Sequence, residues 1–411
     1  MTTSGIDGAA APSSAVRTGS SPAGRALIAL LVAVAAVSPL GINIYLPSMP
    51  GMAADLRVDF GVIQLTLSLY LLSVAVGQLF IGPLSDRFGR RPILIGGLGA
   101  FVIGSAVCLF APDVDWLLAG RVLQALGGCA GITLSRAVVR DLYGPDQAAS
   151  MLGYVTMGMA VAPMLAPGVG GALDSLFGWR ASFAFLLAFG VLTLAATVRL
   201  LHETNFRRGP TGAAGQLLRD YVRLATSRPF WGYALSTAFC SAVFFSFVAG
   251  ASYVTIELMG RSPLEYGIYF GAVSLGYIIG NFLTARSAAR LGPNPLILTG
   301  SLITLGSVIA MAVALGSGLM HPLSLFVPMF FVGTGNGMVI PSGVAGAISV
   351  KPEMAGTAAG LSGSLQMGCS ALAAPLVGAL MGGRVWPMVA IMAGAALLGL
   401  LSFGLVRHGR R

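Results

Sequence analysis

Residues 77–94 read GQLFIGPLSDRFGRRPIL, and four charges, Asp86, Arg87, Arg90 and Arg91, stand within six positions of a chain that is only 9% charged. On either side the sequence is apolar for about twenty residues, the length at which an α-helix crosses a hydrocarbon core of roughly 30 Å. A charged knot between two such runs reads as a short loop at a membrane surface. The rest of the chain repeats this rhythm, and 56% of its 411 residues are hydrophobic. Twelve apolar windows follow one another at 26–46, 61–83, 93–111, 117–136, 148–170, 180–200, 231–256, 265–285, 294–316, 323–344, 355–379 and 385–405. Their many glycines and prolines would break soluble helices, but within a bilayer such residues permit close helix contact.

The net charge of +10 raises the question of nucleic-acid binding, and the position of the cations answers it. Arg17 and Arg25, then Arg87, Arg90 and Arg91, Arg136 and Arg140, the run from Arg199 to Arg228, Arg286 and Arg290, Lys351, and finally Arg407, Arg410 and Arg411 fall in the tails and alternate loops. Only Arg57, Arg180, Arg261 and Arg384 fall on the other side, and Arg121 lies inside span 4. By the positive-inside rule both termini are expected in the cytoplasm, and the basicity reports topology, with no nucleic-acid partner. Residues 1–25 are small and polar and are expected to be a disordered tail leading into an uncleaved first helix.

Function classes narrow in the same way. Cys108, Cys129, Cys240 and Cys369 fall within spans without metal or redox spacing, so neither a metal nor a cofactor is expected. The chain carries no phosphate-binding loop and no nucleophile with its base, which argues against an enzyme. A membrane sensor would need a signalling extension, and neither tail supplies one. The pattern is that of a polytopic membrane protein, expected to act as a monomer.

The rhythm breaks at 201–230, which divides the chain into an N-terminal half, 26–200, and a C-terminal half, 231–405, followed by a tail at 406–411. Within the break, Leu217, Leu218, Tyr221, Val222 and Leu224 form an apolar stripe opposite Arg219 and Arg223, which predicts a short helix lying on the membrane surface. The halves resemble each other: DRFGRRPIL (86–94) matches ARLGPNPLI (289–297), and APGVGGAL (166–173) matches APLVGAL (374–380), at offsets of 203 and 208 residues. Two matches at nearly one offset indicate an internal repeat.

The loop GPLSDRFGRRP closely resembles the signature between spans 2 and 3 of the major facilitator superfamily. QLTLSLYLLSVAVGQLFIGPLSDRFGRRPIL (64–94), RVLQALGG (121–128), SRAVVRDLYG (135–144), APMLAPGVGGAL (162–173), GWRASFAFL (178–186) and HET (202–204) together resemble its bicyclomycin-resistance and phenicol-exporter group of drug:proton antiporters. The resemblance implies an all-α fold of twelve helices in two six-helix bundles, sited in a bacterial inner membrane, that exports antibiotic-like amphipathic compounds in exchange for protons by alternating access. A dedicated exporter of a metabolite or a self-made toxin is the alternative.

It also implies a conformational latch at Gly82, Asp86, Arg87, Gly89, Arg90 and Arg91, in which Gly82 allows helices of opposite halves to approach and Asp86 faces the start of span 11. A carboxylate at a helix N-terminus gains about 0.3–1 kcal/mol. In such proteins the arginine at the place of Arg121 works beside a span 1 acid, where this chain has Asn43. Asn43 cannot carry a proton, and it is expected to accept a hydrogen bond from Arg121, with Gln124 one turn deeper. Three outcomes stay open: coupling through an acid nearer an edge, with Asp141, Glu257 and Asp174 as candidates; export driven otherwise; or passive export down a gradient. Pro163, Pro167, Gly168, Gly170 and Gly171 suggest a gate in span 5, close to span 8. Tyr45, Gln64, Tyr70, Tyr154, Phe244, Phe245, Tyr253, Asn336 and Gln366 are candidate substrate contacts.

Overall fold

The computed structural model describes residues 22–143, 145–205, 214–351 and 354–408, and among the described residues there are helices and no strands. In chain order they are α1 (Pro22–Asn43), α2 (Met49–Leu56), α3 (Phe60–Phe88), α4 (Arg90–Leu109), α5 (Val114–Leu142), α6 (Pro145–Phe177), α7 (Arg180–Leu200), α8 (Ala214–Ala225), α9 (Arg228–Tyr253), α10 (Pro263–Leu291), α11 (Pro293–Gly316), α12 (Pro322–Val350), α13 (Ala355–Met381) and α14 (Trp386–His408). Eleven stretches are long and apolar enough to cross a membrane, and α6, with 33 residues, completes the twelve. Large apolar side chains such as Ile103, Leu192, Phe282 and Leu401 face outward, as lipid contact requires, while the interior holds small and polar groups.

Local chemistry sets the helix ends. Pro293 and Pro322 start α11 and α12, where a missing N–H costs nothing. The Asp113 carboxylate accepts the Trp116 N–H at 3.1 Å to open α5, and Ser262 with Glu265 forms a capping box on α10. The two halves of the repeat share one device: Gly89 between α3 and α4 has φ 101°, and Gly292 between α10 and α11 has φ 70°, a region that favours glycine.

Two boundaries differ from the sequence reading. Span 1 does not stop at 46, because the helix breaks after Asn43, turns once through Leu46–Ser48 and resumes as α2 to Leu56. Pro47 and Pro50 have no N–H to continue the ladder and instead start new turns. Span 4 runs on to Leu142, so Arg136 belongs to the helix and not to the loop after it. The surface helix expected in the central break is α8; it anchors to the second half through the Lys351 ammonium on the Arg223 carbonyl (3.0 Å) and the Trp231 indole N–H on the Ala225 carbonyl (2.7 Å). Leu217 and Leu218 of its predicted stripe carry side chains outside the described residues, whereas Leu224 is buried and Val222 is exposed.

α1 to α7 pack as one bundle and α9 to α14 as the other, and two broad crossings join them: α3 with α13, and α6 with α10. The face that carries Arg87, Arg90, Arg91 and Arg140 is the basic face. At the opposite face the halves are closed, with Gly61 against the Gly378 backbone and the Phe60 and Tyr253 rings 4.9 Å apart. Toward the basic face they are less tightly joined: α3 and α13 still meet where Gly363 rests on Gln78, but a β-carbon at Gly82, one turn further on, would meet nothing within 4 Å. The halves are therefore more open on the basic side than at the opposite face.

Candidate functional site

Arg121 lies two turns into α5 with no exposed surface, where an unpaired charge costs several kcal/mol. Its neighbours supply carbonyls and rings and no carboxylate. The Nη1 group donates to the Gly41 carbonyl at 2.9 Å and to Gln124 Oε1, and Nε donates to the Thr66 carbonyl at 3.4 Å. Tyr45 and Tyr70 close over the guanidinium, each ring centroid 4.3 Å from Cζ. A desolvated cation–π contact is worth about 2 kcal/mol, so the two faces offset much of the burial cost. The cage is itself tied down: Gln124 donates to Ser105 Oγ (2.8 Å), Tyr70 to Ser38 Oγ (3.1 Å), and Tyr45 Oη meets Thr66 Oγ1 (3.1 Å).

The expected bond between Asn43 and Arg121 is not formed. Asn43 Nδ2 donates to the Pro39 carbonyl one turn back (2.8 Å), while its Oδ1 and the Arg121 Nη2 have no hydrogen-bond partner among the described residues. The helix break immediately after Asn43 turns that amide into a local cap, and the tyrosine faces take the place of an anionic partner.

The charged loop forms a second site. Arg90, nearly buried, pairs with Asp86 at 2.6 Å and with Asp141 of α5 at 3.0 Å. Glu203, just beyond α7, accepts the backbone N–H groups of Arg90 (2.9 Å), Arg91 (3.3 Å), Thr204 and Asn205 (both 3.0 Å), and so caps the start of α4. Burial pushes its carboxyl up, but the four N–H donors outweigh that and hold it below the ordinary carboxylate range. Thr204 Oγ1 reaches Asp141 (3.4 Å), Asn205 donates to the Asp86 carbonyl (3.0 Å), and Arg91 Nε donates to the Leu201 carbonyl (2.8 Å). Asp141 therefore belongs to this network and not to the polar core around Arg121. Asp86 is half exposed, and among the described residues no hydrogen bond joins it to α13. The reason is the open basic side, which also leaves Gly82 free of the close approach expected of it. Arg87 lies beside the Phe88 ring on the exposed surface.

The remaining predicted residues divide by position. In α6, Gly171 rests on the Pro263 backbone, Pro167 and Gly168 lie under Gly267 of α10, and Gly170 rests on the Ile44 carbonyl, so the proline–glycine run makes the crossing at the opposite face. Pro163 lies one turn before it inside α6. Gln64 is buried in that closure and donates from Nε2 to the Ala249 carbonyl of α9. Tyr45 and Tyr70 are sealed around Arg121, and Asn336 is buried with its Oδ1 accepting from Cys240. Phe244 meets Phe245 and Phe270 edge to face, and Tyr253 packs tilted against Phe60. Tyr154 is exposed and Gln366 half-buried. Asp174 and Glu257 sit at the opposite face, away from the cage.

Sequence reasoning missed two positions that tie the elements of the site together and misplaced a third. Glu203 sat in plain view within HET, and the signal was an acid one short loop away from a helix start rich in N–H donors. Asp55 accepts from Trp179 Nε1 (2.9 Å) and Arg180 Nη1 (2.8 Å), which fixes α2 to α7 and explains the GWR in GWRASFAFL. Arg136 was misplaced because nothing marked where span 4 ends; no helix breaker occurs before Tyr143–Gly144–Pro145.

Comparison with known proteins agrees with this geometry. The family model described as Major Facilitator Superfamily matches residues 31–374. Multidrug resistance protein D of Escherichia coli (strain K12) is 32% identical over 350 residues, 83% of this chain and 85% of that protein. The chloramphenicol resistance protein of Pseudomonas aeruginosa is 34% identical over 336 residues, 80% of this chain and 76% of that protein. Among solved structures, a bacterial homologue of the human lysosomal transporter Spinster, in an inward-facing and unoccupied conformation, aligns with a TM-score of 0.69 at 18% identity, covering 95% of this chain and 96% of that one. Two six-helix bundles, the repeated loop glycine and the charged signature at Asp86 to Arg91 thus have one common account: the chain is a multi-pass membrane transporter and belongs to the major facilitator superfamily.

Proposed function

We propose that this chain exports small, antibiotic-like amphipathic compounds of the phenicol or bicyclomycin kind from a bacterial cytoplasm, across the inner membrane, each chain acting alone. The basic face is then cytoplasmic, as the positive-inside rule requires, and both termini lie there. The observation that carries the reading is the one-sided closure: two backbone-tight crossings at the opposite face and free space at Gly82 toward the basic side. That is one of the two states alternating access needs. The names of the drug-resistance relatives supply the substrate class.

In the return state the basic face closes, and Asp86 comes to the N-terminus of α13 while Gly82 lets the helices meet. Because that contact exists in only one state, it shifts the balance by its full energy. The resemblance assigns energy coupling to protons, and the acids available for it stand at the ends of spans, with Asp174 at the outer end of α6 the one set beside the gate. The test is accumulation of labelled chloramphenicol in cells stripped of their own pumps, with and without the chain and with and without a protonophore. Lower accumulation that the protonophore abolishes supports proton-coupled export. Unchanged accumulation moves the assignment to a dedicated exporter of a metabolite or self-made toxin.

A further inference from the structure

The two bundles repeat one helix contact with one exchange of side chain. In the first, Gly127 of α5 rests on Gly97 and Phe101 of α4, and the fully buried Phe101 ring packs against Gly190 of α7. In the second, Gly335 of α12 rests on Gly300 and Thr304 of α11, and Gly399 of α14 corresponds to Gly190. The four pairs lie about 203 to 209 residues apart, at the offset of the internal repeat. Thr304 therefore takes the place of Phe101, with a methyl and a hydroxyl where the first bundle has a ring.

Beside Thr304 lies a small internal cavity of about 10 Å³, lined by Ser236 and Cys240 of α9, Ser301 and Thr304 of α11, and Ala396 and Gly399 of α14. All six residues are buried, and the volume is about what one water molecule needs. The walls are polar. Ser236 Oγ stands 2.7 Å from the Gly232 carbonyl and 3.1 Å from the Gly399 carbonyl, and the Cys240 thiol donates to Asn336 Oδ1. Thr304, 2% exposed, has no hydrogen-bond partner for Oγ1 among the described residues. An unanswered buried hydroxyl is costly, and polar cavities of this size hold water where apolar ones stay dry. A cation is the poorer occupant, because none of the six lining residues carries a charge to balance it.

We propose that this cavity binds one ordered water molecule that ties α9, α11 and α14 together, the polar counterpart of the Phe101 ring. The water accepts the Thr304 O–H and donates to Ser236 Oγ and to the Gly399 carbonyl, while Ser236 keeps its own proton on the Gly232 carbonyl. Three hydrogen bonds are the usual complement of a buried water. Gln64 of the other half donates to the Ala249 carbonyl of α9, so the water braces a helix on which the closed face depends. The inference is independent of what the chain carries.

The test is a crystal structure of the full chain, grown from a lipid mesophase at a resolution that shows ordered water, with Thr304→Val and Thr304→Ser beside the parent. In the parent, one peak is expected about 2.5–3.2 Å from Thr304 Oγ1, Ser236 Oγ and the Gly399 carbonyl oxygen. Thr304→Val keeps the shape and removes the hydroxyl; it should lose the peak and unfold about 2–4 °C lower in detergent. Thr304→Ser should keep the peak. No peak in the parent overturns the proposal, as does a peak with six or more oxygen neighbours at about 2.3–2.6 Å, the geometry of a bound cation. A peak unchanged in Thr304→Val, or a Thr304→Val variant as stable as the parent, overturns it as well. If Thr304→Val does not fold, the maps of the parent and of Thr304→Ser decide.

Discussion

Gly267 tests the α6–α10 crossing most directly. A β-carbon there would stand 2.4 Å from the Pro167 carbonyl oxygen and 2.7 Å from the Gly168 Cα, against 3.4 Å for ordinary contact. Gly267→Ala therefore forces the two helices about 1 Å apart, and overpacking of that kind costs roughly 1–3 kcal/mol. The cost falls only on the state in which the opposite face is closed, so the balance moves toward the other state by about 5- to 150-fold. Gly271→Ala, one turn along α10, is the control: a β-carbon there meets nothing within 4 Å, and alanine is the better helix former. Spin labels at Leu176 and Leu264, both exposed near the crossing, read the separation of α6 and α10 in a variant free of the native cysteines. Gly267→Ala should lengthen that distance and slow export, while Gly271→Ala changes neither. If both variants match the parent protein, the crossing is not a gate and the reasoning fails.

Arg121→Met should abolish export yet leave thermal stability within about 1 kcal/mol of the parent, because a buried charge without a carboxylate is held for function more than for stability; a large drop in unfolding temperature in detergent would show the cage to be structural. Glu203→Gln should destabilise the chain by about 0.5–2 kcal/mol at neutral pH through loss of the α4 cap. Since Glu203 titrates below its ordinary value of 4.5, its contribution is complete above that value and is lost as pH falls through the lowered one. Unfolding curves of parent and variant should therefore converge in acid, and a gap that persists there refutes the assignment.

The spans were legible because a bilayer makes one demand that composition satisfies openly: about twenty apolar residues per crossing. The repeat was legible for a similar reason, since Gly89 and Gly292 answer the same backbone requirement in both halves. The site was less so. Arg121 announced itself by its place in a span, but its partners are backbone carbonyls and two tyrosine rings from α3 and the turn after α1, and carbonyls leave no mark in a sequence. Tyr45, Gln64, Tyr70 and Asn336 looked like cavity residues because aromatic and amide side chains serve packing and binding equally. Only the closed face shows Gln64 spanning the two halves. Asp86 and Gly82 are expected at a contact between the halves, but here Asp86 is half exposed and a β-carbon at Gly82 would meet nothing within 4 Å.

That no Asp or Glu in the sequence falls in the middle of a span has a thermodynamic consequence. A carrier with no protonatable group at mid-membrane has no internal means of tying a neutral solute to the proton gradient, and can raise its outside concentration only through acids at the rim. A solute with its own negative charge needs no such tie. In a cell whose interior is electrically negative, each exported anion releases about 2.3 kcal/mol per 100 mV, enough for a gradient of roughly fifty to one. For such a solute the resting voltage alone would power the cycle, and dissipating the voltage, rather than the pH difference, would stop it.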